Sequence, residues 1–574
     1  MCCTEPASSR RRAPLLWAPA LLVLAAPLAS CTCEEKREDG PDPASFEEHT
    51  LVYGGDVTLG RRINRALFDE RRRGSLFGDI EGELRGAELT VVNGEGVIAS
   101  GGRFTDKGEP RPYMFRAHPL AIDALSDAGV DVVSVGNNHA GDYGREALAE
   151  MLDRLLRAGI SYTGGGHDSA DARRPAYLRV GDTVVAVVGV DLTVGGPFRA
   201  GEKRPGTLYF DAYRNGRNND RIVEELGEIH DEARRHAHLV VLTPHWGENW
   251  KDRPADHIRE LARRLIGAGY DAIIGHSAHW FQGVELIDGK PVVYDAGNLL
   301  VDYGGGDRAH EAFLWELTFN RAGVERLRGI PLWLVSGRTD RATGKHLETI
   351  LGRLEPMMQE LGTGYELAGG EVLVECVPGS LHGPERTVDP PARKVPERVR
   401  EAPSQRVIEA LPERATPLEV RYPNGISLVG YELYLGSLPV PKAGQVVALY
   451  WRAEKKIAEE YSIHVEGRSV GKNGRGRRNV SNHIPGDWML PTTQWAPGEV
   501  IRDMTLLRLR GRGEPGETVR FFAGLAGDGG LVDPLEPVGE AESGPLVPLG
   551  EATYRQEAPR VFDVIEAHRS KHGI

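Results

Sequence analysis

Five short segments of this sequence set carboxylates, amides and imidazoles where a divalent metal ion would find oxygen and nitrogen donors. They are Gly54-Gly55-Asp56, Asn93-Gly94-Glu95, Asn137-Asn138-His139 with Asp142 three residues on, His245-Trp246-Gly247-Glu248, and Gly275-His276-Ser277-Ala278-His279. Singly, each has an ordinary reading: Gly-Asp is a turn, Asn-Asn a cap, and a lone His a satisfied surface residue. Their conjunction is hard to explain by capping. A mixture of Asp, Glu, Asn and His suits Mn²⁺, Zn²⁺, Fe²⁺ or Mg²⁺. One or two such ions would lower the pKa of water and clamp the oxygens of a phosphoryl or acyl group. The chemistry is then hydrolysis or transfer at a phosphoester, or cleavage of an amide.

Each segment follows an apolar run that reads as a strand. The runs are His49–Gly54, Leu89–Asn93, Val130–Gly136, Val184–Val190, Leu239–Pro244, Ala272–Gly275 and Pro291–Asp295. Amphipathic stretches with three- and four-residue apolar spacing lie between several of them: His118–Ala128, Arg145–Arg157, Arg217–Arg235 and His257–Gly267. This alternation predicts a layered α/β domain over 49–377, with a helix from Thr343 to Glu360 packed on it. In open α/β folds ligands bind at the carboxyl ends of strands, which is where these segments fall. Residues 378–417 are dense in Pro, Arg and Glu and read as a linker or a chain wrapping the surface. Residues 418–574 carry short runs punctuated by Gly and Pro, among them Ile426–Glu432, Val446–Arg452, Tyr461–Val465, Val500–Leu507 and Thr518–Leu525, the pattern of an all-β sandwich.

The 574 residues are 40% hydrophobic and 27% charged, as in ordinary globular chains, so neither a disordered chain nor a multi-span membrane protein fits. A net charge of −13 gives no reason to expect a nucleic-acid partner, and a basic patch would have to be local. The first thirty residues read as an export signal: Arg10, Arg11 and Arg12 precede an uncharged Leu- and Ala-rich run from Ala13 to Ala29. That run closes in Leu28-Ala29-Ser30-Cys31, which resembles a bacterial lipobox and implies lipidation at Cys31, a tether over 31–48, and a protein facing the periplasm or cell surface. Ordinary cleavage or an uncleaved anchor are the alternatives. Cys33 and Cys376 are too few and too far apart for a disulfide framework.

The motif set resembles the CapA family of bacterial capsule and poly-γ-glutamate biosynthesis proteins, a branch of the calcineurin-like metallophosphoesterase superfamily. The resemblance runs through Gly55-Asp56, Asn93-x-Glu95, Asn137-Asn138-His139-x-x-Asp142, His245-Trp246-Gly247-x-Asn249, Gly275-His276-x-x-His279 and Asp295-Ala296-Gly297-Asn298. It implies a four-layer α/β/β/α fold. Carried over, Asp56 and His279 would hold one metal, with Glu95 where the superfamily has its bridging Asp. Asn138, His245 and His276 would hold the second. His139 would be the acid, oriented by Asp142, while Asn93, Asn137, Trp246 and Glu248 would support the ligands or line the substrate's path. Thr58 stands where the superfamily has a His, which points to a reduced site. Ile426–Glu432, Leu449–Arg452 and Pro491–Glu499 resemble β-sandwich modules of bacterial cell-envelope proteins, implying an accessory glycan- or partner-binding role. Trp451, Trp488 and Trp495 could stack on sugars, but inward-facing tryptophans are common in such sandwiches and the core is the favoured place for them. Arg61, Arg62 and Arg65 read as a solvated helix face, or as groups that meet a polyanion.

The combined expectation is an exported, lipid-anchored protein acting in synthesis, anchoring or release of an anionic surface polymer or glycan, alongside capsule synthesis and export components. A metal-dependent hydrolase or transferase site would do the work. The alternatives are a non-catalytic polymer-binding component of capsule export and a periplasmic metallophosphoesterase.

Overall fold

A computed structural model of the chain describes residues 46–103, 113–193, 198–212, 216–302, 306–335, 337–377, 389–390, 392–404, 406–433, 437–439, 444–470, 476–508, 517–536, 538 and 544–555. Cys31, Cys33 and the apolar run from Ala13 to Ala29 lie outside these residues. Among the described residues no helix is long and apolar enough to cross a membrane.

Two sheets face each other in the first domain. The ten-stranded sheet runs, in spatial order, Glu366–Ala368, Glu371–Glu375, Gly323–Val335, Glu311–Asn320, His49–Val57, Leu89–Gly94, Val132–Ser134 and Ser161–Thr163. Asn298–Leu300 pairs with His49–Val57, and Arg338–Arg341 with Gly323–Val335. The six-stranded sheet runs Val284–Ile287, Lys290–Val293, Ala272–Ile274, Leu239–His245, Thr183–Asp191 and Ala176–Val180. Alternation along the strands sorts side chains into layers. Leu51, Tyr53, Val91 and Val132 point between the sheets and meet Val185, Val241, Ile274 and Val293. Val52, Val92 and Val133 point outward onto the helices Arg62–Leu67, Ala121–Asp127 and Arg145–Arg157. Ala186, Val188, Val240 and Leu242 do the same on the second sheet, against Asn219–Arg234 and Asp256–Gly267. Helix Gly344–Leu361 puts Ile350, Leu354, Met357 and Met358 into the inter-sheet core. The result is a four-layer α/β/β/α arrangement.

The second domain is a β-sandwich. One sheet joins Val407–Ile408, Val500–Arg508, Gly444–Ala453, Ile426–Leu433 and Thr416–Arg421. The other is built on Thr518–Gly527, Ser462–Val470, Gly476–His483 and Val547–Arg555. Trp451 and Trp495 are fully buried between them with Ile463 and Phe521. The sandwich starts earlier than residue 418, because Val407 and Ile408 pair with Ile501 and Val500.

The described part of 389–404 lies along the first domain. Arg393 sits over the Tyr162 ring, 4.2 Å from its centroid, pairs with Asp171 at 2.9 Å and donates to the carbonyls of Tyr162 and Arg174 at 2.8 Å. Further on, Glu150 accepts from the Ala402 amide at 2.7 Å, and Gly102 N–H donates to Pro403 at 3.0 Å. The sandwich then touches the first domain directly: Asn64 Nδ2 lies 3.5 Å from Met489 Sδ, and Arg116 lies 3.6 Å from Asp487.

Candidate metal centre

The carboxyl ends of the two sheets bring the sequence segments together. In the first sheet Asp56 is in register with both Asn93 and Asn298. In the second, His245 is in register with Asp191 and bridges to His276. Gly55 makes the first junction fit: a Cβ there would lie 1.9 Å from the Gly297 carbonyl, where the chains approach closely enough for Asp56 N–H to donate to Gly297 at 3.1 Å. A Tyr53–Thr243 hydrogen bond ties the sheets beneath the site, and Thr243 Oγ1 lies 3.1 Å from His276 Nε2.

Two donor sets result, Asp56 with His245 and His276, and Asp56 with Glu95 and His279, all buried. Asp56, rather than Glu95, is the carboxylate common to both. Its Oδ1 lies 3.6 Å from His276 Nδ1 and 4.0 Å from His245 Nδ1, and its Oδ2 3.0 Å from His279 Nδ1. Glu95 Oε1 is 3.8 Å from His279 Nε2. The strand register shifts on either side of Asp56, and its two carboxylate oxygens face the two donor sets, whereas Glu95, one residue past the Leu89–Gly94 strand, faces His279 and His139. Asn138 joins through its Oδ1, 3.0 Å from His245 Nε2. Thr58 donates to Glu95 Oε2 at 3.3 Å, so the residue in place of a histidine steadies the carboxylate.

Electrostatics separate the imidazoles. Burial holds the His276 pKa down at about 3, and burial together with His276 holds His245 well below the usual histidine range. Both are therefore neutral, and their Nδ1 atoms lie 2.6 Å apart, one donating to the other in the absence of a cation that could take both lone pairs. Burial alone would also lower His279, but Glu95 and Asp56 carry it up to about 9. Burial would raise Asp56, and the contacts of His279, His245 and Asn93 together outweigh it and keep the carboxyl ionised. Neutral imidazoles converging with an ionised carboxylate are the donor chemistry of a borderline divalent ion, so the residues fit one.

Beside this cluster, His139 Nδ1 lies 2.8 Å from Asp142 Oδ2, which turns Nε2 toward Glu95 Oε1 at 3.8 Å. The same Asp142 oxygen accepts from Phe115 N–H at 2.7 Å, and the Phe115 ring packs 4.5 Å from the imidazole. Asn93 donates to Asp56 at 2.7 Å. Asn137 donates to Asn93 at 3.1 Å and accepts from His139 N–H at 3.1 Å. These two amides hold the ligand and the acid in one network.

Two sequence candidates lie elsewhere. Trp246 points into the outer core of the second sheet, its indole N–H on the Tyr294 carbonyl at 2.8 Å and its ring seated on Gly275, so it packs the fold and lines no substrate path. Glu248 is exposed and pairs with Lys251 at 3.6 Å. Conversely, Asn298 and Asp295 matter more than their motif suggested. Asn298 Oδ1 lies 3.2 Å from His279 Nδ1, and its Nδ2 donates to the His279 carbonyl at 3.2 Å, fixing a histidine with φ 60°. Asp295 accepts from Ala278 N–H at 2.6 Å and Gly297 N–H at 2.7 Å. Trp250, 39% exposed, stands 5.1 Å from the His279 ring at the rim.

Residues 50–303 match the family model "Bacterial capsule synthesis protein PGA_cap". Over these residues the first domain is similar to this family. The PGA_cap match spans the ligand segments from Asp56 to Asn298. Among curated relatives, the PGA biosynthesis protein CapA of Bacillus subtilis is 26% identical over 299 residues, 52% of this chain and 75% of that protein. The capsule biosynthesis protein CapA of Bacillus anthracis is 25% identical over 294 residues, 51% of this chain and 69% of that one. Both alignments are far shorter than this chain, and the PGA_cap match itself ends before the β-sandwich begins.

Proposed function

We propose that this is a CapA-type protein, exported and lipid-anchored at Cys31, that works on an anionic surface polymer through a metal-dependent hydrolase or transferase site. The observation that carries the catalytic part is Asp56 shared between two buried donor sets, with the His139–Asp142 pair alongside. A binding protein needs no oriented acid beside its metal ligands. A bound divalent ion would supply Lewis acidity and an activated water. Asp56, Glu95, Asn138, His245, His276 and His279 would hold it. Asp142 holds His139 with Nε2 directed inward, where it would protonate a leaving group, and the Phe115 ring shields that bond from water. The relatives' names, PGA biosynthesis and capsule biosynthesis, support a polymer of γ-linked glutamate as substrate and capsule synthesis and export components as partners.

The test is turnover of phosphodiester and γ-glutamyl substrates by the metal-loaded chain, with His139→Ala beside wild type. Loss of roughly 10²–10⁴-fold with metal content unchanged supports the acid role. Equal rates would remove it. Wild type that binds metal and polymer but turns over neither substrate would leave a polymer-binding component of export.

A further inference from the structure

We propose that an arginine-lined pocket next to the metal centre is a docking site for an extended polycarboxylate chain, an inference that rests on the polymer reading above. The molecule carries a net charge of −13, so any grip on a polyanion has to be local. The structure contains such a place. Beyond the end of the His49–Val57 strand the chain turns at Arg61, whose φ of 53° is unusual for a side-chain-bearing residue. That turn sends the Arg61 guanidinium to buried Asp302 at 3.5 Å, while Arg62 N–H donates to the other Asp302 oxygen at 2.9 Å. Asp302 is thus engaged by Arg61 and by the backbone. The Arg62 and Arg65 side chains are left exposed one helical turn apart, with no hydrogen bond or ion pair to any described residue.

Across the pocket, Arg338 and Arg72 are each held by a carboxylate, Asp340 at 2.7 Å and Asp69 at 3.5 Å, and each keeps N–H groups to spare. The pocket has a volume of about 340 Å³, with half-buried Ala66 in its wall and buried Ile63 and Leu76 beneath it. Guanidinium groups spaced around an apolar floor match carboxylates that recur along a methylene-containing chain. A densely charged chain without methylenes would leave the floor unused. Asp302 links the pocket to the chemistry: it lines the pocket and pairs with Arg61, which lies 5.8 Å from the Phe115 ring that packs on His139.

The experiment measures binding of a short fluorescent poly-γ-glutamate to the full chain at low and high salt, with inorganic polyphosphate as competitor and metal content read in parallel. Arg62→Ala/Arg65→Ala is expected to weaken binding roughly tenfold or more at low salt, with the gap closing as salt rises. Arg62→Lys/Arg65→Lys should restore part of it. Arg221→Ala/Arg235→Ala removes the same charge from exposed positions at the Asn219–Arg234 helix, on the outer face of the second sheet, and should bind like wild type. Equal binding by the Arg62/Arg65 variant, no binding by wild type, or preferential capture of polyphosphate would each overturn the proposal. A tenfold loss in a chain that holds no metal would uphold the docking site while refuting the catalytic reading.

Discussion

Asp56 is the residue on which the centre turns, because it alone serves both donor sets. Asp56→Asn is therefore expected to lose all bound metal by elemental analysis. Glu95→Gln or His245→Ala, each touching one set, should lose about half of what a two-ion site holds, the fraction being set by the number of sets. Retention of full metal by Asp56→Asn would refute the shared-ligand assignment. The candidate ligands could be read from the sequence because each is a metal-capable residue directly after an apolar run. Asn298 could not, because its contacts to His279 are set only when residues 19 apart meet in space. Trp246 was left open between the site and the core for a related reason. A tryptophan between a histidine and a glycine reads as a wall of the site, but its direction follows from strand alternation, which turns His245 inward and Trp246 to the outer core.

At the scale of elements, the segment Phe115–His118 links the acid to the second domain. Phe115 N–H and ring hold Asp142 and His139, Arg116 meets Asp487 of the sandwich, and His118 N–H donates to Asn64, which also contacts Met489. Burial, then Arg406, holds the His118 pKa down at about 4, below its unfolded value of 6.5. A histidine kept neutral this way contributes stability that is intact above pH 6.5 and lost as pH falls from there toward 4. His118→Asn, whose side-chain oxygen can replace Nδ1 as acceptor for Leu120 N–H, should flatten the fall of Tm between pH 7 and 4.5. Parallel pH profiles of Tm in the two proteins would exclude this. The site-bearing strands were legible because each is a short apolar run ending in a polar motif. The hairpin Glu311–Asn320 and Gly323–Val335 went unread because it carries no such motif, although Glu311–Asn320 pairs directly with His49–Val57. Gly476–His483 also escaped, since its exposed and half-buried positions alternate with almost no apolar residues.

At the scale of the whole molecule, the contacts of Arg393, Ala402 and Asp487 join the two domains over a broad seam. Arg393→Ala removes a nearly buried guanidinium from Asp171 and from several carbonyls, and should cost about 2–4 kcal/mol in a denaturant melt. It should also open the segment around residue 393 to protease before either domain unfolds; a protected segment would show that the strap is held elsewhere. The pairing of the first strand has a different kind of consequence. His49–Val57 lies between Leu89–Gly94, which follows it closely in sequence, and Glu311–Asn320, where Phe319 pairs with His49. A chain emerging N-terminus first would have one side of this strand covered early and the other open until nearly the whole domain had appeared. Closure of the sheet is thus a late event of high contact order, and intrinsically slow. Asp56 likewise waits for His276, His279 and Asn298, which lie far along the chain, so the metal site is assembled late, and a metal ion captured there would select chains whose domain is nearly complete.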